Sequence, residues 1–99
     1  MDLDALALRL AALGNPTRLA AFRALVRAGP AGLATGALQA RLGLPASTLT
    51  HHLAHLLKVG LVTQERHGTT LICRADFEGI DAVVTSLRSE CCADMGQSE

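Results

Sequence analysis

Two adjacent cysteines near the end of the sequence, Cys91 and Cys92, carry the most reactive side chains of the chain. Neighbouring thiolates chelate soft, thiophilic ions, and trivalent arsenic or antimony favours a trigonal site with three sulfur ligands. The pair therefore predicts a two-thiolate anchor for As(III) or Sb(III). Two alternatives stay open: the thiols respond to another thiol-based signal, such as oxidation or a persulfide, or they have no sensing role.

The third ligand of such a site is not evident from the sequence. Residues 93–99 contain no cysteine, and Cys73 falls in a predicted strand, where a small packing residue is the better interpretation. Met95 is a poor candidate because a thioether lacks the charge of a thiolate. A thiol from a second protomer, a water molecule or a small-molecule thiol would have to complete the site.

A second group of chemically useful side chains alternates with leucines in the middle of the chain. Leucines at positions 49, 53, 56 and 57 follow the helical repeat and predict the buried side of a helix. At 100° per residue, the outward positions of this helix are Ser47, Thr48, His51, Ala54, His55 and Lys58. Short hydroxyls and imidazoles can reach base edges and phosphates in a major groove, although they also suit an ordinary solvated helix.

The distribution of charge agrees with a polyanionic partner for the first part of the chain. The 99 residues have a net charge of zero, but residues 1–60 hold six basic and two acidic side chains, a net charge of +4. Residues 61–99 hold three basic and seven acidic side chains, a net charge of −4. A polyanion would therefore be met by the first part of the chain.

The elements that would position these residues follow from hydrophobic periodicity and helix-capping signals. Leu3, Leu6, Leu10 and Leu13 form one stripe of a first helix that ends at Gly14. Asn15 and Pro16 open a second helix whose inward residues are Leu19, Phe22, Leu25 and Val26. We expect a loop over residues 29–34, and then a short third helix capped by Thr35 and facing inward with Leu38 and Leu42.

Gly43 to Ala46 connect the third helix to the fourth by the short turn of a helix-turn-helix, with Leu44 filling the angle between the helices. The fourth helix ends at Gly60. Residues 61–66 and 69–75 then predict a small hairpin around a polar turn at His67 and Gly68. A last helix follows Asp76, with Phe77, Ile80, Val83, Val84 and Leu87 on its apolar side. We predict one mainly α domain over residues 1–90 and a short tail with the vicinal cysteines over residues 91–99.

The string from Leu42 to Leu53, LGLPASTLTHHL, followed by Leu56 and Gly60-Leu61-Val62, resembles the helix-turn-helix of the ArsR/SmtB family of arsenical-resistance repressors. The segment Asn15-Pro16-Thr17-Arg18-Leu19 is similar to the opening of the second helix in that family. The resemblance covers residues 5–90, and its departures are modest. Pro45 replaces the usual capping hydroxyl, and Ile72-Cys73 stands where the wing strand is often aromatic.

The resemblance implies a winged helix-turn-helix fold, a homodimer paired through the first and last helices, and repression of a double-stranded operator with two half-sites. It also implies that arsenite or antimonite, bound at Cys91 and Cys92, releases the DNA, although members of this kind tend to have a further cysteine downstream. No obligatory cofactor is expected. The candidate DNA-binding residues are Arg41, Ser47, Thr48, Thr50, His51, His55, Lys58 and Arg66.

Other functions find less support in the sequence. His51, His52 and His55 could be read as a zinc cluster, but they lie within the fourth helix, the candidate recognition helix, where the resemblance accounts for them. The chain shows no paired carboxylates, nucleophile elbow or glycine-rich phosphate loop, so we expect no enzyme activity. A protein-interaction module would more often expose aromatic or aliphatic residues between Ser47 and His55. Without a membrane-length apolar run or a basic leader, we expect a cytoplasmic protein.

Overall fold

The computed structural model describes the backbone of residues 1–98 and the side chains of residues 1–95. Residues 1–98 form five α-helices and three β-strands, together with short 3₁₀ helices at Gly29–Ala31 and Ala93–Ser98. The elements in chain order are α1 (Leu3–Leu13), α2 (Pro16–Ala28), β1 (Leu33–Ala34), α3 (Thr35–Leu42), α4 (Ala46–Lys58), β2 (Val62–His67), β3 (Thr70–Ala75) and α5 (Phe77–Arg88). The predicted mainly α fold with a small hairpin is confirmed.

Side-chain caps fix the start of three helices. Asp2 Oδ1 accepts a hydrogen bond from the Ala5 amide at 2.7 Å, Asn15 Oδ1 from the Arg18 amide at 3.0 Å, and Asp76 Oδ1 from the Gly79 amide at 2.9 Å. Such caps satisfy amides that a helix leaves without a partner in its first turn. The prediction that Thr35 caps α3 is wrong: Ala34 takes the cap position without a side-chain bond, and Thr35 is the first helical residue.

The sheet has three antiparallel strands in the order β1-β3-β2. Val62 pairs with Ala75 and His67 with Thr70, so the hairpin closes over Gly68 and Thr69 as a projecting wing. The expected loop over residues 29–34 is wrong in its second half, because Leu33 and Ala34 pair with Cys73 and Ile72 as β1. Two residues are too few to show strand periodicity, so the pairing depends on the neighbouring edge of β3.

The core lies where α2, α3 and α4 meet the inner side of the sheet. Its fully buried side chains include Leu25, Leu38, Leu56, Leu61, Val62 and Cys73. Leu44 packs partly buried against this core, as predicted for the turn of the helix-turn-helix. The prediction that Leu19 and Val26 face inward is wrong, since they are 38% and 40% exposed. Small residues fill the corresponding inner surface of α2, where Ala21 and Ala24 are buried.

Helix α5 packs mainly against α1, and the molecule is elongated. The chain measures 62 × 23 × 20 Å with a radius of gyration of 16.0 Å, whereas about 13 Å is typical of a compact domain of this length. Leu3 and Leu10 of α1 and Val84 and Leu87 of α5 stay exposed. These two helices therefore present unburied apolar surface, as a dimer through the first and last helices requires.

The chain continues beyond α5 in an ordered turn. The Cys91 amide donates to the Arg88 carbonyl at 2.8 Å and the Ala93 amide to the Glu90 carbonyl at 3.0 Å, ahead of the 3₁₀ helix Ala93–Ser98. The segment predicted as a polar tail thus has local helical structure. The last residue of that predicted segment, Glu99, lies outside the described residues.

Close approach of α5 to the end of α4 depends on a glycine. A Cβ atom at Gly79 would collide with the carbonyl oxygen of Gly60. We expect Gly79→Ala to destabilise the fold by about 1–3 kcal/mol, because the added methyl pushes α5 away from α4. Gly36→Ala is the matched control, since nothing lies within 4 Å of its Cβ position, and should be neutral or stabilising by up to about 1 kcal/mol. Urea denaturation of both variants measures the difference, and equal stabilities would contradict this account of Gly79.

Candidate DNA-binding surface and thiol pair

The turn between α3 and α4 is built by backbone geometry. Gly43 adopts the left-handed conformation with φ of 66°, and its amide donates to the Gln39 carbonyl at 2.9 Å. Glycine suits this position because it has no Cβ to clash. Pro45 takes the cap position of α4 without a side-chain bond, and its carbonyl accepts from the Leu49 amide at 3.1 Å. The entry of the recognition helix is therefore held by backbone bonds and by Leu44.

The predicted buried and outward sides of α4 are both present. Leu49, Leu53 and Leu56 are buried, and Leu57 is partly buried. On the other side, Ser47, His51, His55 and Lys58 are exposed, while Thr48 is half-buried. This exposed side is polar along two turns and carries no large apolar side chain.

Thr50 differs from the other predicted contact residues. It is exposed, but its hydroxyl donates to the Ala46 carbonyl at 2.9 Å within α4. Thr50 also lines a cavity of about 250 Å³ between α4 and the wing, together with Leu53 and Gln64. Its hydroxyl proton is thus already used by the helix backbone, and its oxygen keeps acceptor capacity.

Three histidines lie close together on α4. The rings of His51 and His55 meet edge to face with centroids 5.0 Å apart, and those of His51 and His52 are 5.9 Å apart. Partial desolvation and the nearby Arg18 guanidinium lower the pKa values of His52 and His55 from the usual 6.5. His52 Nδ1 is buried and has no hydrogen-bond partner among the described residues. No group of three or more His, Cys, Asp or Glu side chains that could hold a metal occurs in the described part of the chain.

Arg41 and Arg66 lie exposed at the end of α3 and near the tip of the wing, on either side of α4 in the sequence. A cross-strand cluster of charged side chains lies beside Arg66 in the wing. Glu65 lies 3.3 Å from His67 and accepts from Arg74 at 2.7 Å, and the hydrogen bonds with His67 and Arg74 lower the pKa of the Glu65 carboxyl. Arg74 also donates to the Pro30 carbonyl at 3.0 Å. Sequence reasoning missed this cluster, although its members lie opposite or near one another on the predicted hairpin.

The two adjacent thiols are exposed after the end of α5. The Sγ atoms of Cys91 and Cys92 are 3.4 Å apart. Cys92 has φ of 62°, a left-handed conformation that costs a residue with a side chain about 1–2 kcal/mol. Two metal–sulfur bonds of about 2.3 Å each span more than this separation, so both sulfurs can reach one soft ion.

Cys73 is separated from this pair by burial. It is 0% exposed in β3, its Sγ accepts from Gln64 Nε2 at 3.3 Å, and burial raises the pKa of its thiol. A neutral, buried thiol is a poor ligand for an exposed site. The interpretation of Cys73 as a packing residue agrees with these surroundings.

A three-helix core, a helix-turn-helix with a polar second helix, and a β-wing together define a winged helix-turn-helix DNA-binding protein. A family profile described as a helix-turn-helix domain matches residues 13–65, which is more than half of the sequence. With the solved structures that it resembles, this match shows that the chain belongs to the ArsR/SmtB family of winged helix-turn-helix regulators.

Solved structures similar to this chain support the same family. An ArsR-like transcriptional regulator from Rhodococcus sp. RHA1 is 27% identical with a TM-score of 0.76, over 87% of this chain and 78% of that one. The homodimeric winged helix-turn-helix DNA-binding domain of a Mycobacterium bovis protein is 28% identical, with a TM-score of 0.71 and coverage of 89% and 82%. HlyU from Vibrio cholerae is 28% identical, with a TM-score of 0.72 and coverage of 93% and 99%. No protein of curated function matches the sequence significantly.

None of the helices within the described residues combines the length and the apolar character needed to cross a bilayer.

The lowered pKa values of His52 and His55 can be tested by NMR titration. We expect both imidazoles to titrate below pH 6.5, because desolvation and the Arg18 charge favour their neutral forms. Arg18→Gln should move both midpoints upward by removing a nearby cation. Midpoints at or above 6.5 in the wild type, or midpoints unaffected by Arg18→Gln, would contradict this assignment.

Proposed function

We propose that this chain is a homodimeric transcriptional repressor that acts in the cytoplasm by binding a double-stranded operator. The observation that carries the proposal is the exposed polar side of α4, presented by a helix-turn-helix with leucines buried behind it. Ser47, His51 and His55 would face the major groove, and Arg66 would meet phosphates from the wing. Thr48, Thr50, Arg41 and Lys58 complete the proposed contact surface.

Dimerisation is part of this proposal because one domain reads only one half-site. Exposed apolar residues on α1 and α5, such as Leu10 and Val84, supply the surface that a partner would cover. The similar domain from Mycobacterium bovis is homodimeric. A twofold dimer places two recognition helices on half-sites about one helical turn of DNA apart, or a multiple of it.

The DNA-binding role predicts a specific response to loss of single charges. Lys58→Gln and Arg66→Gln should each weaken operator binding and reduce the slope of log affinity against log salt by about 1, because each removes one phosphate contact. Fluorescence anisotropy with an operator selected from random duplexes gives the affinities at several salt concentrations.

The control for that experiment is Arg27→Gln, which removes an exposed positive charge from α2 outside the proposed surface. It should leave the salt slope unchanged. If selection yields no enriched duplex, or if all three variants lose the same affinity, the proposed surface is wrong.

We further propose that arsenite or antimonite is the inducer and that Cys91 and Cys92 bind it. The 3.4 Å separation of the two sulfurs and their exposure support this assignment. The two thiols would supply two of three sulfur ligands, because described residues of one protomer offer no third Cys or His to the pair. A thiol of the partner or a small-molecule thiol would complete the site.

The inducer proposal predicts that arsenite releases the wild-type protein from its operator. The Cys91→Ser and Cys92→Ser double variant should bind DNA with unchanged affinity and show no release, since serine hydroxyls do not replace thiolates for a soft ion. Cys73→Ala is the matched control and should keep the response, because that thiol is buried. Full release of the double variant would place the site elsewhere, and an unresponsive wild type would remove the proposal.

The contact between the sulfurs also favours a second candidate, a redox signal. Hydrogen peroxide could oxidise the pair: a bond forms between the sulfurs, while two thiol protons and two electrons pass to the peroxide and yield two water molecules. Release by peroxide that dithiothreitol reverses, in a wild type that ignores arsenite, would identify this signal in place of the metalloid.

A further inference from the structure

A cleft of about 490 Å³ lies between α1 and the C-terminal half of α4, and none of its described lining residues belongs to the wing. One wall is made of small and apolar residues of α1, among them Ala5 and Leu8. The other side is basic, with Arg9, Arg18, His55 and Lys58 around it. None of the described residues that line the cleft is acidic.

The basic side chains of the cleft differ in whether they already form hydrogen bonds within the fold. Arg9 donates through Nε to the Val59 carbonyl at 2.7 Å and through Nη1 to the Gly79 carbonyl at 3.0 Å. Arg18 donates through Nε to the Ala12 carbonyl at 2.7 Å. Lys58 is exposed and forms no ion pair within the described residues. The cleft thus combines two arginines fixed by carbonyls with one lysine that has no anionic partner.

The cleft lies apart from the apolar surface proposed for dimerisation. Leu8 and Leu10 are two positions apart on α1, so they point about 200° apart around the helix. Leu10 shares its side with Leu3, seven residues earlier, whereas Leu8 shares its side with Ala5 and Ala12. A partner covering Leu3 and Leu10 therefore leaves the Leu8 side of α1 open, and Leu8 is 63% exposed.

We propose that this cleft binds an organic monoanion, a carboxylate on an apolar body, and that binding weakens the affinity for DNA. The volume falls in the range of about 300–1,000 Å³ typical of small-molecule sites. The α1 wall provides apolar contact, and the basic side provides charge-assisted hydrogen bonds to a carboxylate. Because Lys58 belongs to the recognition helix, a bound anion would neutralise a charge that otherwise meets DNA phosphates.

Amide NMR spectra of the full chain, titrated with 2-naphthoate as the probe, test the proposal. We expect saturable shifts of Ala5, Leu8 and Val59, and at least about tenfold weaker binding of neutral 2-naphthol, which has the same apolar body. Lys58→Gln should weaken 2-naphthoate binding by about three- to tenfold, and Leu8→Glu should abolish it by placing a carboxylate at the cleft. Arg27→Gln, which also removes one charge, should bind as the wild type does.

The proposed effect on DNA affinity is measured by fluorescence anisotropy with the selected operator at constant ionic strength. Under these conditions 2-naphthoate should weaken DNA binding and 2-naphthol should not. The double serine variant of Cys91 and Cys92 should respond equally, which separates this site from the thiol pair. Three results would overturn the proposal: no saturable shift at the cleft, shifts centred on Leu3 and Val84, or equal binding of the two probes. If Leu8→Glu weakens DNA binding while 2-naphthoate does not bind, the cleft belongs to the DNA surface.

Discussion

The guanidinium of Arg9 links α1 and α5, the helices proposed for dimerisation, to α4, the helix proposed to contact DNA. From the middle of α1 it donates to the Val59 carbonyl at the end of α4 and to the Gly79 carbonyl in the first turn of α5. Helix ends leave carbonyls without intrahelical partners, so an arginine is a natural means of satisfying one of them. Two further contacts lie at this junction of α1, α4 and α5, which we call the corner. Gly79 approaches Gly60 closely, and the Asp76 amide donates to the Leu61 carbonyl.

This corner gives the proposed signals a physical route. The thiol pair follows α5, and the basic cleft lies between α1 and α4, so each proposed ligand would act on a helix that Arg9 ties to the end of α4. A closely packed junction transmits a shift of one helix to its neighbours instead of absorbing it. A small rotation of α1 or α5 would therefore change the spacing of two recognition helices in a dimer, without any change inside the helix-turn-helix.

Local rules made most of the fold predictable from the sequence, and long-range contacts account for the rest. Asn15 and Pro16 open α2, and Gly43 ends α3, as expected from capping geometry that neighbouring residues determine. Strand β1 and the exposure of Leu19 were not predicted, because both depend on which distant parts of the chain pack against these residues. The contacts of Arg9 join residues 50 and 70 positions apart, and no local pattern distinguishes this arginine from one on a solvated helix side.

At the thiol pair too, local sequence predicts only part of the proposed site. The adjacent cysteines predict two ligands from the sequence alone, and their sulfur atoms are 3.4 Å apart in the structure. A trigonal ion, however, needs a third ligand. Cys73 is buried in the sheet, so a third thiolate would have to come from outside the protomer. If the partner supplies it, the proposed metalloid binding would strain or stabilise the dimer directly. If a small-molecule thiol supplies it, the affinity for the metalloid would rise with the concentration of that thiol, and the proposed response would depend on both.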